Sequence, residues 1–355
     1  MKKIQVSATG LQPLRFMKPT SSAAYPGENV MAPRVGQEML YLSRTDVTAV
    51  GLTAREMNDA MAAVFRAKAE NRAWAQPKLT VFRPDGASFR AKGGMVSQPD
   101  YGAIKWFGYF PGNERAGLPD FAPLILLNEG ATGMPIALMD GVVISAQRTG
   151  ALSAVAARSM ARPESESVAF IACGTQARSN LEALLPEFKL KRVVAYSRRT
   201  ATAEAFAGFA REHGLAATVA TDPHAAVRGV DIVVSSVPHA SPQNRFLDAN
   251  DLSPGTFAAM VDLGFGWNAA TLGALDRVFT DDIAESGPGG SEKLNYDGTY
   301  TGDIADLVVG KSPGRLSADE RNALCFGGSG LADVAAAAAI YERAVARGIG
   351  RILPL

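Results

Sequence analysis

The hydrophobic positions of this chain change their period about halfway along. Met39-Leu40-Tyr41-Leu42 predicts a short strand, and Met57, Met61, Val64 and Phe65 then recur at helical spacing. That helix opens on Thr53 with Glu56 three residues later, the pattern of a capping box. Its methionine stripe reads as core. Residues 77–141 follow as short apolar runs, 78–82, 88–96, 101–108, 123–127 and 136–139, separated by Pro-Gly and Asp-Gly turns. Such runs predict strands of a mostly antiparallel sheet. Residues 143–162 are small and apolar at helical spacing and stop at Arg162-Pro163.

From about Glu166 the pattern becomes an alternation of strands and helices. A first strand, turn, helix and second strand run from Val168 to Thr200. A helix over 202–213, strands over 216–220 and 231–237 and a short helix over 223–228 come next, then strands over 257–263 and 277–280. Alternating elements of this length predict a parallel, doubly wound sheet. After Gly310 the chain is expected to leave that sheet, and the alanine-rich helix over 331–347 to return to the front half. The predicted fold is therefore α/β: a Rossmann-type doubly wound parallel sheet plus an N-terminal α/β domain, rejoined by the C-terminal helix. The expected boundaries are 1–38 for an extension rich in Pro, Gly, Ser and Ala, 39–150 with 325–355 for the front domain, and 151–324 for the Rossmann domain.

The turn Ala172-Cys173-Gly174-Thr175-Gln176-Ala177 is a variant of the dinucleotide fingerprint G-x-G-x-x-G/A, with alanine at the first glycine. Gly174 stands where a backbone must approach a pyrophosphate, and the helix start supplies free N–H groups to phosphate. The second strand ends Tyr196-Ser197-Arg198-Arg199-Thr200 with no carboxylate. Two guanidiniums and two hydroxyls suit a 2′-phosphate, so NADP(H) is preferred over NAD(H), which stays open. Thr149, Ser236, Val237 and Gly264 complete the candidate cofactor contacts.

Composition narrows the class. The 355 residues are 47% hydrophobic, with 36 Lys plus Arg against 35 Asp plus Glu, so no basic surplus attracts nucleic acid. No apolar run is long enough to span a bilayer, and Ile4 to Phe16 is a poor signal peptide. Cys173 and Cys325 imply a reducing compartment, the cytoplasm, without a disulfide framework. His213, His224 and His239 lie at no metal-ligand spacing, so no metal is expected. His239 reads as a loop residue near the cofactor.

Across nearly the whole stretch from Met39 to Gly350, these residues resemble the ornithine cyclodeaminase/mu-crystallin family. The matches are Ile104-Lys105-Trp106, Pro111-Gly112-Asn113, Gly133 to Gly141, Arg148-Thr149-Gly150-Ala151, the Gly174 turn, Gly330-Leu331-Ala332-Asp333, and Tyr341-Glu342-Arg343-Ala344. The resemblance implies an NAD(P)-dependent enzyme working on the Cα–N bond of a small amino or imino acid, usually a homodimer through the front sheet. It also implies that Lys105 is catalytic beside the substrate carboxylate and Cα, that Arg148 and Lys78 hold the carboxylate, and that Met95 lines the site. A lysine desolvated near the reacting carbon serves as acid or base.

One departure shapes the expected activity. Cyclodeaminases carry an aspartate after the fifth strand, where this chain has Phe265, and Asp262 falls inside the expected strand three residues earlier. Imine or ketimine reduction, or amino-acid dehydrogenation, is therefore expected ahead of ornithine or lysine cyclodeamination with bound NAD. A cofactor-dependent ligand-binding protein like mu-crystallin is the third reading.

Overall fold

The computed structural model describes residues 31–238, 245–287 and 293–355. Among them, two eight-stranded sheets divide the chain. In the front sheet the order is Arg351–Pro354, Glu38–Leu42, Pro135–Asp140, Phe121–Glu129, Asp100–Tyr109, Ser88–Ser97 and Ala73–Ala75, with Leu79–Phe82 also paired to Ser88–Ser97. Glu38–Leu42 pairs with Pro135–Asp140 in parallel, and the other pairings are antiparallel. The second sheet is parallel, in the order Ala216–Val219, Arg192–Tyr196, Ser167–Ile171, Ile232–Ser235, Phe257–Met260, Asn322–Cys325, Arg277–Thr280 and Gly302–Asp303. The α/β fold with one doubly wound parallel sheet and one mostly antiparallel sheet is as expected.

Three helices bring the sheets together. Ala54–Ala69 starts on the capping box expected of Thr53 and Glu56 and buries Met57, Met61, Val64 and Phe65. Val142–Met160 is buried along most of its length. At Gly150 it lies so close to the helix Thr175–Leu184 that an added Cβ would stand 2.4 Å from the Ser179 carbonyl oxygen. Gly330–Arg347 lies on the front sheet, where a Cβ on Gly330 would stand 2.4 Å from the Gly93 carbonyl oxygen. Two glycine contacts thus press one helix onto the nucleotide half and another onto the front half.

Two expectations need correction. The chain does not leave the parallel sheet after Gly310: Asn322–Cys325 inserts between Phe257–Met260 and Arg277–Thr280. All four of its residues are buried, so it shows no alternation and is too short to stand out in sequence. The strand expected over 257–263 ends at Met260. Leu263 and Gly264 then take φ of 57° and 76°, which curls the chain and puts Asp262 outside the strand. The C-terminal Arg351–Pro354 adds an edge strand antiparallel to Glu38–Leu42. Of the expected extension over 1–38, residues 1–30 lie outside the described residues. Among the described residues no helix is long and apolar enough to cross a membrane.

Candidate active site

Strand alternation and register build the cationic part of the site. Lys105, in Asp100–Tyr109, stands directly opposite Lys92 of Ser88–Ser97, so both point to one face. One strand further, Leu79 pairs with Ala91 and Thr80 with Arg90, which brings Lys78 level with Lys92. Three lysines therefore cross three adjacent segments in a row. Lys105 is 2% exposed and Lys92 4%, and Lys78 is half-buried.

The helix Gly330–Arg347 closes this face and delivers Asp333 to it. Lys105 Nζ lies 3.0 Å from Asp333 Oδ1 and 2.9 Å from Oδ2. Arg148 Nε, from Val142–Met160, forms an ion pair with Oδ1 at 3.1 Å. One buried carboxylate holds two cations. Asp333 stands in the first turn of its helix, where the helix dipole favours negative charge. The Arg148 guanidinium lies on Gly328, where a Cβ would stand 2.6 Å from Nη1. Gly328 has φ +85°, so its place by the guanidinium requires glycine on both counts. Lys92 donates to the carbonyl of the same Gly328 and, at 3.3 Å, to that of Gly327. Lys92 Nζ also stands 3.4 Å from Glu285 Oε2.

Burial sets the protonation of these groups. It pushes Lys105 down to about 7, and the charges of Arg148 and Lys92 push the same way against Asp333. Burial likewise pushes Glu285 up to about 7, opposed by Lys92 and reinforced by Asp281 and Asp282.

The turn after Ser167–Ile171 has the form a dinucleotide needs. Ala172 takes φ +70°, the left-handed conformation for which the fingerprint uses glycine, at a cost of about 1–2 kcal/mol. Its N–H donates to the Tyr196 carbonyl at 2.9 Å, and its own carbonyl accepts from Ser236 Oγ at 3.0 Å. At Gly174 a Cβ would meet nothing within 4 Å, so open space lies in front of the helix Thr175–Leu184. Thr175 is exposed, Gln176 half-buried, and Ala177 buried where that helix packs. The Cys173 side chain turns inward, and burial pushes its thiol up to about 12, so this position can offer only backbone.

The remaining expected residues divide between this turn and elsewhere. Ser236 and Val237 follow Ile232–Ser235, and the Ser236 N–H donates to Ile171. Ser197 is half-buried, whereas Arg198, Arg199 and Thr200 are exposed. Gly264 follows Phe257–Met260 at the same carboxyl edge of the parallel sheet, beside Cys325. The Thr149 hydroxyl donates to the Ser145 carbonyl of its own helix at 2.7 Å. Met95 is not brought to the site. Three positions from Lys92, it projects from the other face of the sheet and is 44% exposed. His239 lies outside the described residues.

Asp262 is occupied elsewhere, accepting from Ser235 Oγ at 3.1 Å, the Val237 N–H at 3.3 Å and the Gly264 N–H at 3.2 Å. Phe265 is half-buried, with the Arg245 guanidinium 5.5 Å from its ring centre. Lys92, Asp333 and Glu285 were not among the expected site residues. For Lys92 the available signal was parity, since only positions an even number away from it share its face.

Asn322–Cys325 runs from the carboxyl edge of the parallel sheet straight into the loop carrying Gly327 and Gly328. The Gly174 turn leaves a parallel strand at that same edge, so the open helix start and the loop that touches the buried cations lie on one side of one sheet, and this fold with these residues defines a dinucleotide-dependent oxidoreductase. The chain belongs to the ornithine cyclodeaminase/mu-crystallin family, whose family model matches residues 37–348. It is 29% identical over 326 residues to alanine dehydrogenase of Archaeoglobus fulgidus, covering 88% of this chain and 97% of that protein. It is 25% identical to N-((2S)-2-amino-2-carboxyethyl)-L-glutamate dehydrogenase of Staphylococcus aureus, over 90% of this chain and 100% of that one. Among solved structures, an archaeal alanine dehydrogenase dimer with bound NAD superposes with a TM-score of 0.79 at 28% identity, covering 89% and 99% of the two chains.

The space beside Gly174 generates a separable prediction. Gly174→Val places its side chain where the protein has no atoms, so chemical denaturation is expected to show stability within roughly 0.5 kcal/mol of wild type. Dinucleotide affinity, read by fluorescence titration, is expected to fall at least about tenfold. Unchanged affinity would remove the turn from the cofactor site.

Proposed function

We propose that this protein is an NADP(H)-preferring oxidoreductase interconverting an imino acid and the corresponding amino or N-substituted amino acid. One observation carries the reading: Lys105 is fully buried against Asp333 and Arg148, with its amine brought to about 7. A group there exchanges a proton at neutral pH. Arg148 and Lys78 bind the substrate carboxylate, for which buried cations are the natural partners. Lys105 Nζ passes a proton to the substrate nitrogen in reduction and takes it back in oxidation, while Asp333 holds that ammonium in place. The dinucleotide, when bound, supplies or accepts the hydride at Cα.

Two dehydrogenases of amino acids among the relatives support this reading. So does the 261–267 turn, whose single carboxylate, Asp262, is engaged with Ser235, Val237 and Gly264. That leaves no acid there to act on a substrate side-chain amine, as cyclodeamination would need. The exposed Arg198 and Arg199, without ion pairs among the described residues, support the preference for a 2′-phosphate. The outer face of the front sheet carries Phe89, Met95, Ile104, Trp106 and Leu124, each between 43% and 45% exposed except Ile104 at 41%. We propose that two copies pair through this face.

Four outcomes are expected. In the wild type, reduction falls as pH rises through about 7, because it needs the Lys105 ammonium, and oxidation rises over the same interval. Lys105→Met lowers kcat/KM by about 10²–10⁴-fold and abolishes that inflection; a variant with unaltered rate and profile would refute the role. Arg198→Glu with Arg199→Glu cuts kcat/KM for NADPH at least about tenfold and leaves NADH little changed, whereas equal losses on both cofactors would count against the phosphate role. Ile104→Glu yields a monomer by light scattering; a monomeric wild type, or an intact dimer in the variant, would exclude this interface.

A further inference from the structure

The cationic face extends beyond the groups that the proposed chemistry uses. Lys92 lies directly across the strand pair from Lys105, at a spacing of about 5 Å between Cβ atoms, where like charges repel. Both are buried, and each has its own carboxylate, Asp333 for Lys105 and Glu285 for Lys92. We infer that Lys92 is a specificity residue that binds a second carboxylate, so that the substrate is an acidic amino or imino acid. This rests on the oxidoreductase reading above and names the substrate class of that same site.

Gly328 supplies the geometry. The Arg148 guanidinium lies against it, while its carbonyl accepts from Lys92 Nζ. The cation proposed for the α-carboxylate and Lys92 therefore both touch the backbone of a single residue. A short acidic side chain reaching past Gly328 connects the two. An apolar side chain of the same length would end against that buried ammonium without pairing its charge.

Glu285 is consistent with this role. It stands 3.4 Å from Lys92, and its Oε1 has no hydrogen-bond partner. Burial pushes its carboxyl up to about 7, so it can hold Lys92 charged in the free protein and take up a proton when a substrate carboxylate arrives. A buried ion pair adds little stability over an apolar pair of similar size, so stability alone is a weak reason for this one.

The test compares ligands matched in shape and differing in charge: L-aspartate with L-asparagine, and L-glutamate with L-glutamine. With saturating NADP+, binding is measured by calorimetry and turnover by absorbance for the wild type, Lys92→Met and Lys92→Arg. The wild type is expected to favour the acid of at least one pair by about tenfold or more. Lys92→Met is expected to lose that preference by weakening the acid and not the amide, and Lys92→Arg to retain it. A wild type that binds acid and amide equally, or a Met variant that loses both alike, overturns the inference and leaves Lys92–Glu285 as a structural pair. Turnover of none of the four, with the binding preference intact, would count against the oxidoreductase reading and not against the role of Lys92. Thermal melting checks the fold of each variant, and the wild-type pairs with the Arg variant decide the matter if Lys92→Met does not fold.

Discussion

The site depends on one carboxylate. Asp333 neutralises Lys105 and Arg148 at once, and without it two cations from different elements would share a water-excluded space. Removing one member of a buried pair typically costs about 3–5 kcal/mol. Asp333 reaches that position because Gly330 and Gly93 let the helix start touch the strand, and the helix dipole then favours its charge. Backbone contact, helix polarity and ion pairing therefore act on one residue. It also joins a strand of the front sheet, a helix between the sheets and the helix that follows the parallel sheet.

Much of the fold was legible in the chain because its elements are locally consistent. The Thr53–Glu56 capping box, the strands of the front sheet and the βαβ unit at Gly174 each follow from neighbouring residues. What escaped were elements specified by tertiary surroundings. Asn322–Cys325 is a strand because two others flank it, and nothing in Asn-Ala-Leu-Cys requires that. The site divided in the same way. Lys105, Arg148 and the dinucleotide turn were recognisable from their motifs. Lys92 and Glu285 came to light only when register and packing brought residues almost two hundred positions apart within 3.4 Å. Met95 went astray by parity, since an odd offset along a strand exchanges the buried face for the outer one.

Two residues show how the cofactor side is built at some cost. Ala172 adopts a left-handed conformation that glycine would take freely, and it is held by hydrogen bonds to Tyr196 and Ser236. Asp262 is a carboxylate that burial pushes up to about 7, satisfied by Ser235 and two backbone N–H groups. It ties together the loops leaving two neighbouring strands, with Trp267 Nε1 donating to the same Ser235 hydroxyl at 2.9 Å. Both devices stiffen the carboxyl edge of the parallel sheet, where ligands of doubly wound folds bind.

The late arrival of Asn322–Cys325 bears on how the chain is made. Its neighbours, Phe257–Met260 and Arg277–Thr280, emerge from the ribosome first and must wait for the strand that lies between them. The front sheet waits longer, since Arg351–Pro354 is its outer edge. Neither sheet closes in the order of synthesis: the parallel sheet is complete only once Asn322–Cys325 has emerged, and the front sheet only once Arg351–Pro354 has. Until then the nascent chain exposes unpaired parallel strands, which are slow to pair and prone to aggregate. Demand for chaperone assistance is therefore concentrated in the interval before Asn322–Cys325 emerges.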